Sequence, residues 1–226
     1  LPFHAIDYCL REANIDLSRI DHVAYSYDPA SLLGFDERKA NRQLPSPSDL
    51  LEEQSPGTSP WDVLFHQLML HAAGQLVDGA PHHLQQRMKP CSCRPKFQWH
   101  YVNHHIAHAA SAYLCAPFDR SAVMTLDGRG EYASTTYGVA NGTDYQEIGH
   151  VDVPHSLGLL YEDVTEYLGF LRSSDEYKVM ALASYGQPAY VDYFAKKIHV
   201  LENGQYRIDP LDLEKHFGPT RRRGGP

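Results

Sequence analysis

Hydrophobic and polar positions along the first hundred residues switch between helical and strand spacing. Residues 2–13 carry apolar side chains at helical spacing, which predicts a helix that packs on one face. The β-branched and aromatic residues of 22–27 predict a strand that ends in an Asp-Pro turn. Residues 28–60 contain five prolines and no clear period, so we predict a loop-rich insertion. A helical pattern resumes over 61–77, and a short strand is predicted over 97–103.

The second half of the chain continues with helices and strands in mixed order. The Ala-rich residues 104–114 predict a helix, and the continuous apolar run 121–126 predicts a strand that leads into a glycine-rich turn. Residues 134–140 and 146–151 predict two strands joined by an Asn-Gly hairpin turn. Helical spacing predicts three more helices, at residues 156–170, 177–185 and 189–201. The pattern therefore predicts a fold that mixes helices and strands.

Length and composition are those of a folded protein. The chain has 226 residues, of which 42% are hydrophobic and 21% are charged. These proportions are far from the low hydrophobicity and high charge that characterise disordered chains. The length fits one large domain or two small ones, and we favour one.

Charge and hydrophobicity restrict the partners and the compartment. With 20 Lys and Arg against 28 Asp and Glu, the formal charge of −8 argues against a nucleic-acid partner. The only dense basic cluster, at residues 221–223, is typical of a solvated tail. We find neither a run of about 18 apolar residues nor a secretory signal, so we expect a cytoplasmic protein without a membrane partner. Four cysteines are interpreted as reduced thiols, at positions 9, 91, 93 and 115.

Two histidines and an aspartate form a candidate metal site. His104 and His108 stand four residues apart on a predicted helix, so their rings project from one face about one turn apart. Asp127 follows an apolar strand, where ligands of open α/β sheets gather. Two imidazoles and one carboxylate would leave coordination positions for water and phosphate oxygens. The alternatives are a chance histidine pair among 14 histidines and an Asp-Gly turn residue that bonds its own backbone.

Five further residues could contact phosphate. Gly128 and Gly130 lack a Cβ, which would let backbone N–H groups approach an anion, although such a turn is equally typical of a hairpin. Ser156 and Gly158 begin a predicted helix, so the helix N-terminus could hold an anion, or Ser156 could serve only as the N-cap. Lys178 could meet a phosphate or pair with neighbouring carboxylates. Because the chain has neither the P-loop pattern nor the dinucleotide fingerprint, an ATP site must belong to another class.

Four sequence blocks, in the same order, resemble the NodU/CmcH carbamoyltransferases. The blocks are His104–Tyr113 (HHIAHAASAY), Thr125–Glu131 (TLDGRGE), Ser156–Phe170 (SLGLLYEDVTEYLGF) and Asp175–Gly186 (DEYKVMALASYG). Residues 2–29 also resemble the early helix and strand of that family. As a set the blocks identify the chain as a relative of these enzymes.

The resemblance implies both a fold and a chemistry. The implied fold is an actin- and hexokinase-like, ribonuclease-H-like ATPase lobe with a mixed sheet and flanking helices, related to the threonylcarbamoyladenosine-forming proteins. In such enzymes carbamoyl phosphate and ATP give carbamoyl adenylate, and the carbamoyl group then moves to a hydroxyl of a small molecule, in the biosynthesis of antibiotics or nodulation factors. A divalent metal ion (Fe, Mn or Mg) is implied on His104, His108 and Asp127. Phosphate or adenylate contacts are implied on Gly128, Gly130, Ser156, Gly158 and Lys178.

The resemblance also implies that the chain is part of a longer enzyme. Residues 1–226 would be a partial N-terminal carbamoyltransferase domain, with the metal and nucleotide core at 97–186 and without the C-terminal YrdC-like domain. We expect such a fragment to be inactive alone, no general base is assigned, and a homodimer is compatible with the sequence. Two other hypotheses stay open. A metal hydrolase would need Glu where His105 stands in a His-Glu-x-x-His motif, and a non-catalytic relative would keep the fold without the chemistry.

Overall fold

The computed structural model describes residues 1–31, 69, 71–78, 81–82, 85–86 and 96–219. Contacts between Cα atoms divide the chain into two compact units, Leu1–Ala107 and His108–Pro226, so that the division falls within one helix. Each unit contains helices and strands, as the sequence predicts. In the described part of the chain, no helix combines the length and the apolarity that a membrane span requires.

The first unit contains short helices and strands. Its strands β1 and β4 pair in parallel, with Val23 opposite Trp99. The two-residue strands β2 and β3 pair in antiparallel fashion. The described elements are α1 (Phe3–Glu12), β1 (His22–Tyr25), α2 (Ala72–Asp78), β2 (Pro81–His82), β3 (Gln85–Gln86) and β4 (Gln98–Tyr101).

A small apolar core joins helix α1 to strands β1 and β4. Phe3, Leu17 and Leu76 are its buried members, and Val23 and Trp99 pack against it. Apolar side chains of α1 lie on one face because positions three or four residues apart share a side of a helix. The predictions of a helix over 2–13 and of strands over 22–27 and 97–103 are therefore confirmed, each within a few residues.

Two predictions for the first unit fall largely outside the described residues. Within the predicted insertion 28–60, only 28–31 are described, and they contain a 3₁₀ turn at Pro29–Ser31. Of the helix predicted over 61–77, the described part confirms a helix at Ala72–Asp78. Cys91, Cys93 and the basic residues 221–223 also lie outside the described ranges.

The second unit contains an antiparallel sheet in the order β5-β6-β7. The hairpin between β6 and β7 turns at Gly142, whose φ of +60° lies in the left-handed region that glycine adopts without steric cost. The central strand carries buried hydroxyls rather than aliphatic side chains, and Thr136 Oγ1 lies 2.8 Å from Thr125 Oγ1. The three strands are β5 (Arg120–Leu126), β6 (Ala133–Asn141) and β7 (Asp144–Asp152), which confirms the predicted order.

Helices precede and follow this sheet in sequence. Helix α3 ends on a tight turn before β5, and α4 is followed by the C-cap Leu168 and then by Gly169, whose φ is +83°. The predictions over 104–114, 156–170 and 177–185 are confirmed within a few residues. These helices are α3 (His104–Tyr113), α4 (Leu157–Tyr167) and α5 (Glu176–Ala183).

The prediction of one helix over 189–201 is wrong beyond residue 195. Helix α6 (Val191–Ala195) has a single turn and a half, and the chain then forms a hairpin of β8 (Ile198–Val200) and β9 (Tyr206–Ile208). The turn contains Asn203 and Gly204, both with positive φ. An Asn-Gly pair adopts this conformation readily and so favours the hairpin over a continued helix. A last short helix, α7 (Leu213–Phe217), was not predicted.

The β8–β9 hairpin covers part of the β5-β6-β7 sheet. Tyr206 Oη lies 2.8 Å from the buried Thr135 Oγ1, and Tyr137 Oη donates to the Gly204 carbonyl at 2.5 Å. The Gln205 amide donates to the His150 carbonyl on β7. These polar contacts satisfy buried hydroxyls on the central strand and hold the hairpin in place.

Candidate metal centre

Helix α3 carries both candidate histidines. The Asn103 side chain accepts a hydrogen bond from the Ile106 N–H at 3.1 Å and so caps the first turn. Ala109 is completely buried and packs against Val123 and Ala140, so the small side chain lets the helix lie close to the sheet. This packing places His108, the residue before Ala109, beside the end of β5.

Asp127 lies at the first position after β5, in the loop that joins β5 to β6. Its backbone N–H donates to the Ser134 carbonyl at 2.9 Å, which continues the pairing of the two strands. Its Oδ1 accepts the Gly128 N–H at 2.6 Å, and its Oδ2 lies 3.1 Å from His108 Nε2. One carboxylate oxygen is thus held by the turn while the other faces the histidine.

His104 completes the group from the first turn of the same helix. Its Nδ1–H donates to the Ser26 carbonyl at 3.2 Å, since a carbonyl oxygen can only accept. That bond fixes the tautomer and leaves Nε2 with a lone pair for a ligand. The neighbouring His105 is buried, and its ring meets the His104 ring edge-on. His105 therefore contributes to the packing around His104.

The three residues fit a divalent metal ion. One potential ligand atom from each of His104, His108 and Asp127 lies within 4.8 Å of the other two. Metal–ligand bonds of about 2.1 Å require ligand atoms to be roughly 3.0–4.2 Å apart, so small side-chain movements would close the site. Two imidazoles and one carboxylate favour iron or manganese over magnesium, which prefers oxygen ligands. Within the described ranges this is the only group of three or more such residues.

The N-terminus of helix α4 holds the turn that carries Asp127. Ser156 accepts the Leu159 N–H at 3.1 Å, which confirms the N-cap interpretation. The same hydroxyl, which is almost completely buried, donates to the Gly128 carbonyl at 2.6 Å and lies 3.1 Å from the Asp127 carbonyl. A Cβ on Gly158 would lie 2.6 Å from the Gly128 Cα, so this position requires glycine for close packing.

The predicted phosphate contacts stay predictions. The Gly128 N–H donates to Asp127, and the Gly130 N–H donates to the Ala133 carbonyl at 2.8 Å. Lys178 pairs with Asp175 at 2.7 Å, and this hydrogen bond raises the pKa of the ammonium above its usual value. The local pairing that the sequence left open for Lys178 is therefore present.

Two acidic residues near the turn were missed from the sequence. Glu131, at the end of the glycine-rich turn, is buried, and its position in the motif is a signal that could have marked it. Glu162, on α4, has Oε1 3.4 Å from the place where a Cβ on Gly128 would lie. Its only sequence signal is a spacing of one helical turn after Gly158.

The sequence is similar to one protein family and to several curated proteins. Residues 2–217 match the family model described as "Carbamoyltransferase N-terminus". The chain is 36% identical over 236 residues to Nodulation protein NolNO of Sinorhizobium fredii, covering 100% of this chain and 30% of that protein. It is 34% identical over 212 residues to an uncharacterized Synechocystis protein, sll1178, covering 92% of this chain and 32% of that protein.

A second nodulation protein is also similar to the chain. The chain is 40% identical over 133 residues to Nodulation protein NolO of Bradyrhizobium diazoefficiens, covering 55% of this chain and 23% of that protein. The chain thus spans about a third or less of the curated relatives it matches. Because the family model covers nearly the whole sequence, the chain belongs to the carbamoyltransferase N-terminal family.

Proposed function

We propose that this chain supplies the metal- and nucleotide-binding part of an O-carbamoyltransferase. The complete enzyme would use carbamoyl phosphate and ATP to form carbamoyl adenylate and would then carbamoylate a hydroxyl of a small molecule. Family membership and the nodulation-protein relatives support carbamoyl transfer. The single observation that carries the proposal is the approach of His104, His108 and Asp127 within 4.8 Å.

The chain's own residues would bind and orient the metal ion. His104 and Asp127 are each held by a backbone contact, through the Ser26 carbonyl and the Gly128 N–H. Such outer contacts fix the direction of the ligand atoms before binding and lower the entropy cost of assembly. The bound ion would supply a positive charge that stabilises phosphate oxygens as the mixed anhydride forms and breaks.

The nucleotide would meet the glycine-rich turn and the start of helix α4. The turn residues and the start of α4 pack directly on each other, next to the turn residue Asp127. In the proposed complex the Gly130 amide would exchange its hydrogen bond with the Ala133 carbonyl for a phosphate oxygen, and Lys178 would leave Asp175, while the Gly128 amide would keep its bond to Asp127. The proposed setting is an actin- and hexokinase-like ATPase lobe of a cytoplasmic enzyme that continues into a YrdC-like domain.

Calorimetry can test whether nucleotide binding depends on this metal site. ATP is titrated into the 226-residue chain with and without Mn²⁺, and the same titrations are made with His104→Ala/His108→Ala. We expect ATP binding that strengthens when Mn²⁺ is present in the wild type and does not change with Mn²⁺ in the double variant. Equal metal dependence in both proteins would contradict the proposed role of these histidines. A folded chain that binds neither ligand would favour a non-catalytic relative.

A further inference from the structure

Two residues of helix α4 lie beside Gly128. Gly158 lies on one side, where an added Cβ would clash with the Gly128 backbone. Glu162, one turn later on the helix, provides the described heavy atom nearest to a Cβ built on Gly128, with Oε1 at 3.4 Å. The Glu162 side chain is only 18% exposed, so most of it is covered by neighbouring residues rather than extended into solvent.

Arg172 holds Glu162 in that place. Its Nε donates to Glu162 Oε2 at 3.0 Å, while one terminal nitrogen donates to Asp163 at 2.5 Å and to Glu166 at 3.4 Å. Burial works against the charged guanidinium, but the charge and hydrogen bond of Asp163, followed by Glu162, raise the pKa of Arg172. The guanidinium therefore stays charged, and it ties three carboxylates of α4 together.

The loop that carries Arg172 is itself fixed. Arg172 lies three residues after Gly169, whose positive φ of +83° follows the end of helix α4. The Leu171 N–H donates to Asp175 Oδ2 at 3.1 Å, and the Ser173 N–H donates to Glu176 Oε1 at 2.8 Å. Backbone contacts on both sides of Arg172 thus set its position, and Arg172 in turn sets that of Glu162.

We propose that Glu162, held by Arg172, is a positioning residue for the proposed metal ligand Asp127. Gly158 packs against the Gly128 backbone, and Glu162 fills the space where a Cβ on Gly128 would lie, so that loss of the Glu162 side chain would open room beside this backbone. The Gly128 N–H holds one oxygen of the Asp127 carboxylate, and the other oxygen faces His108. The inference rests on the proposed function, because it assigns Glu162 to the same metal site. Outer contacts of metal ligands typically change metal affinity about 10- to 100-fold when removed.

Cobalt binding tests the effect on the site. Co²⁺ is titrated into the 226-residue chain while its visible absorption, which reports ligand geometry, is recorded for wild type, Glu162→Ala and Glu162→Gln. Asp163→Asn is the matched control, because Asp163 pairs with the same arginine while Glu162 is the acid beside Gly128. We expect both Glu162 variants to bind about 10-fold more weakly with an altered spectrum. The control should stay within about twofold of wild type, because an asparagine oxygen can still accept the Arg172 hydrogen bond and Glu162 stays paired with the same arginine.

Amide hydrogen exchange gives a second, metal-free readout. The Gly128 N–H, which is bonded to Asp127, should exchange faster in Glu162→Ala than in Asp163→Asn, at equal melting temperature. Unchanged cobalt affinity or unchanged exchange in Glu162→Ala would overturn the inference. If the wild type and His104→Ala/His108→Ala bind cobalt equally, the proposed metal site fails, and the exchange comparison alone then decides the role of Glu162.

Discussion

The close contact between Gly158 and Gly128 makes Gly158→Ala a test of how helix α4 holds the turn that carries Asp127. A Cβ on Gly158 would lie 2.6 Å from the Gly128 Cα, 2.7 Å from its N and 3.0 Å from the Asp127 carbonyl oxygen. All three atoms belong to the backbone, so the clash cannot be relieved by a side-chain rotation. Gly158→Ala must therefore move helix α4 or the turn that carries Asp127.

The size of the effect follows from two opposing contributions. Overpacking costs about 1–3 kcal/mol of stability, and we expect a value near the upper end here because backbone atoms must move. Alanine would recover up to about 1 kcal/mol of helix propensity. We expect a net destabilisation of roughly 2 kcal/mol, which for a chain of this size lowers the melting temperature by about 4–8 °C.

Gly128→Ala is the matched control. At Gly128 the nearest described atom is Glu162 Oε1, at 3.4 Å from the added Cβ, which is an ordinary van der Waals distance and requires no backbone movement. Thermal unfolding by circular dichroism should show a large shift for Gly158→Ala and a small one for Gly128→Ala. Cobalt titration should show weakened binding only for Gly158→Ala. Equal stability and equal metal affinity in the two variants would refute the account of how α4 holds the turn.

Three further predictions concern the support of the site and the hairpin that covers the sheet. Ser156→Ala removes the N-cap and the tether to the turn, and should lower the free energy of unfolding by about 1–2 kcal/mol in urea denaturation; no change would contradict both roles. Tyr206→Phe leaves the buried Thr135 hydroxyl without this partner and should cost about 1–2 kcal/mol in the same assay, whereas a neutral result would show that the hairpin does not need this bond. The His199 hydrogen bond lowers the pKa of Asp209, so its stabilising effect is present above the unfolded pKa and is lost as the pH falls through the folded pKa. His199→Ala should raise the Asp209 pKa in a carbon-13 NMR titration, and an unchanged pKa would contradict the contact.

Much of the candidate site could be predicted because each of its residues occupies a recognisable place in a short sequence pattern. A spacing of four on an Ala-rich segment places His104 and His108 on one helix face, and a polar residue after an apolar strand places Asp127 at a strand end. Periodicity cannot reveal the packing of Ala109 against the sheet that brings the helix close to Asp127. The family resemblance implied only that the three residues share a metal ion. Glu162 was missed because the role proposed for it comes from its position beside Gly128, which lies 34 residues earlier in the chain.

The end of the chain shows where periodicity misleads. Residues 189–201 have apolar side chains at helical spacing, yet only Val191–Ala195 forms a helix. The hairpin that follows is set by Asn203 and Gly204, the same dipeptide that correctly predicted the turn at Gly142. Residues 198–200 therefore pair in the hairpin that the Asn-Gly turn favours, although their spacing predicts a helix.

Metal stoichiometry tests the central claim most directly. The wild-type chain, His104→Ala/His108→Ala and the control His4→Ala/His71→Ala, which removes two exposed histidines elsewhere, are equilibrated with Fe²⁺ or Mn²⁺ and analysed for metal content. We predict one bound ion per chain in the wild type and the control. The double variant of the site should bind more than about 100-fold more weakly, since it loses two direct ligands. Equal metal content in all three proteins would contradict the assignment of the metal centre to His104, His108 and Asp127.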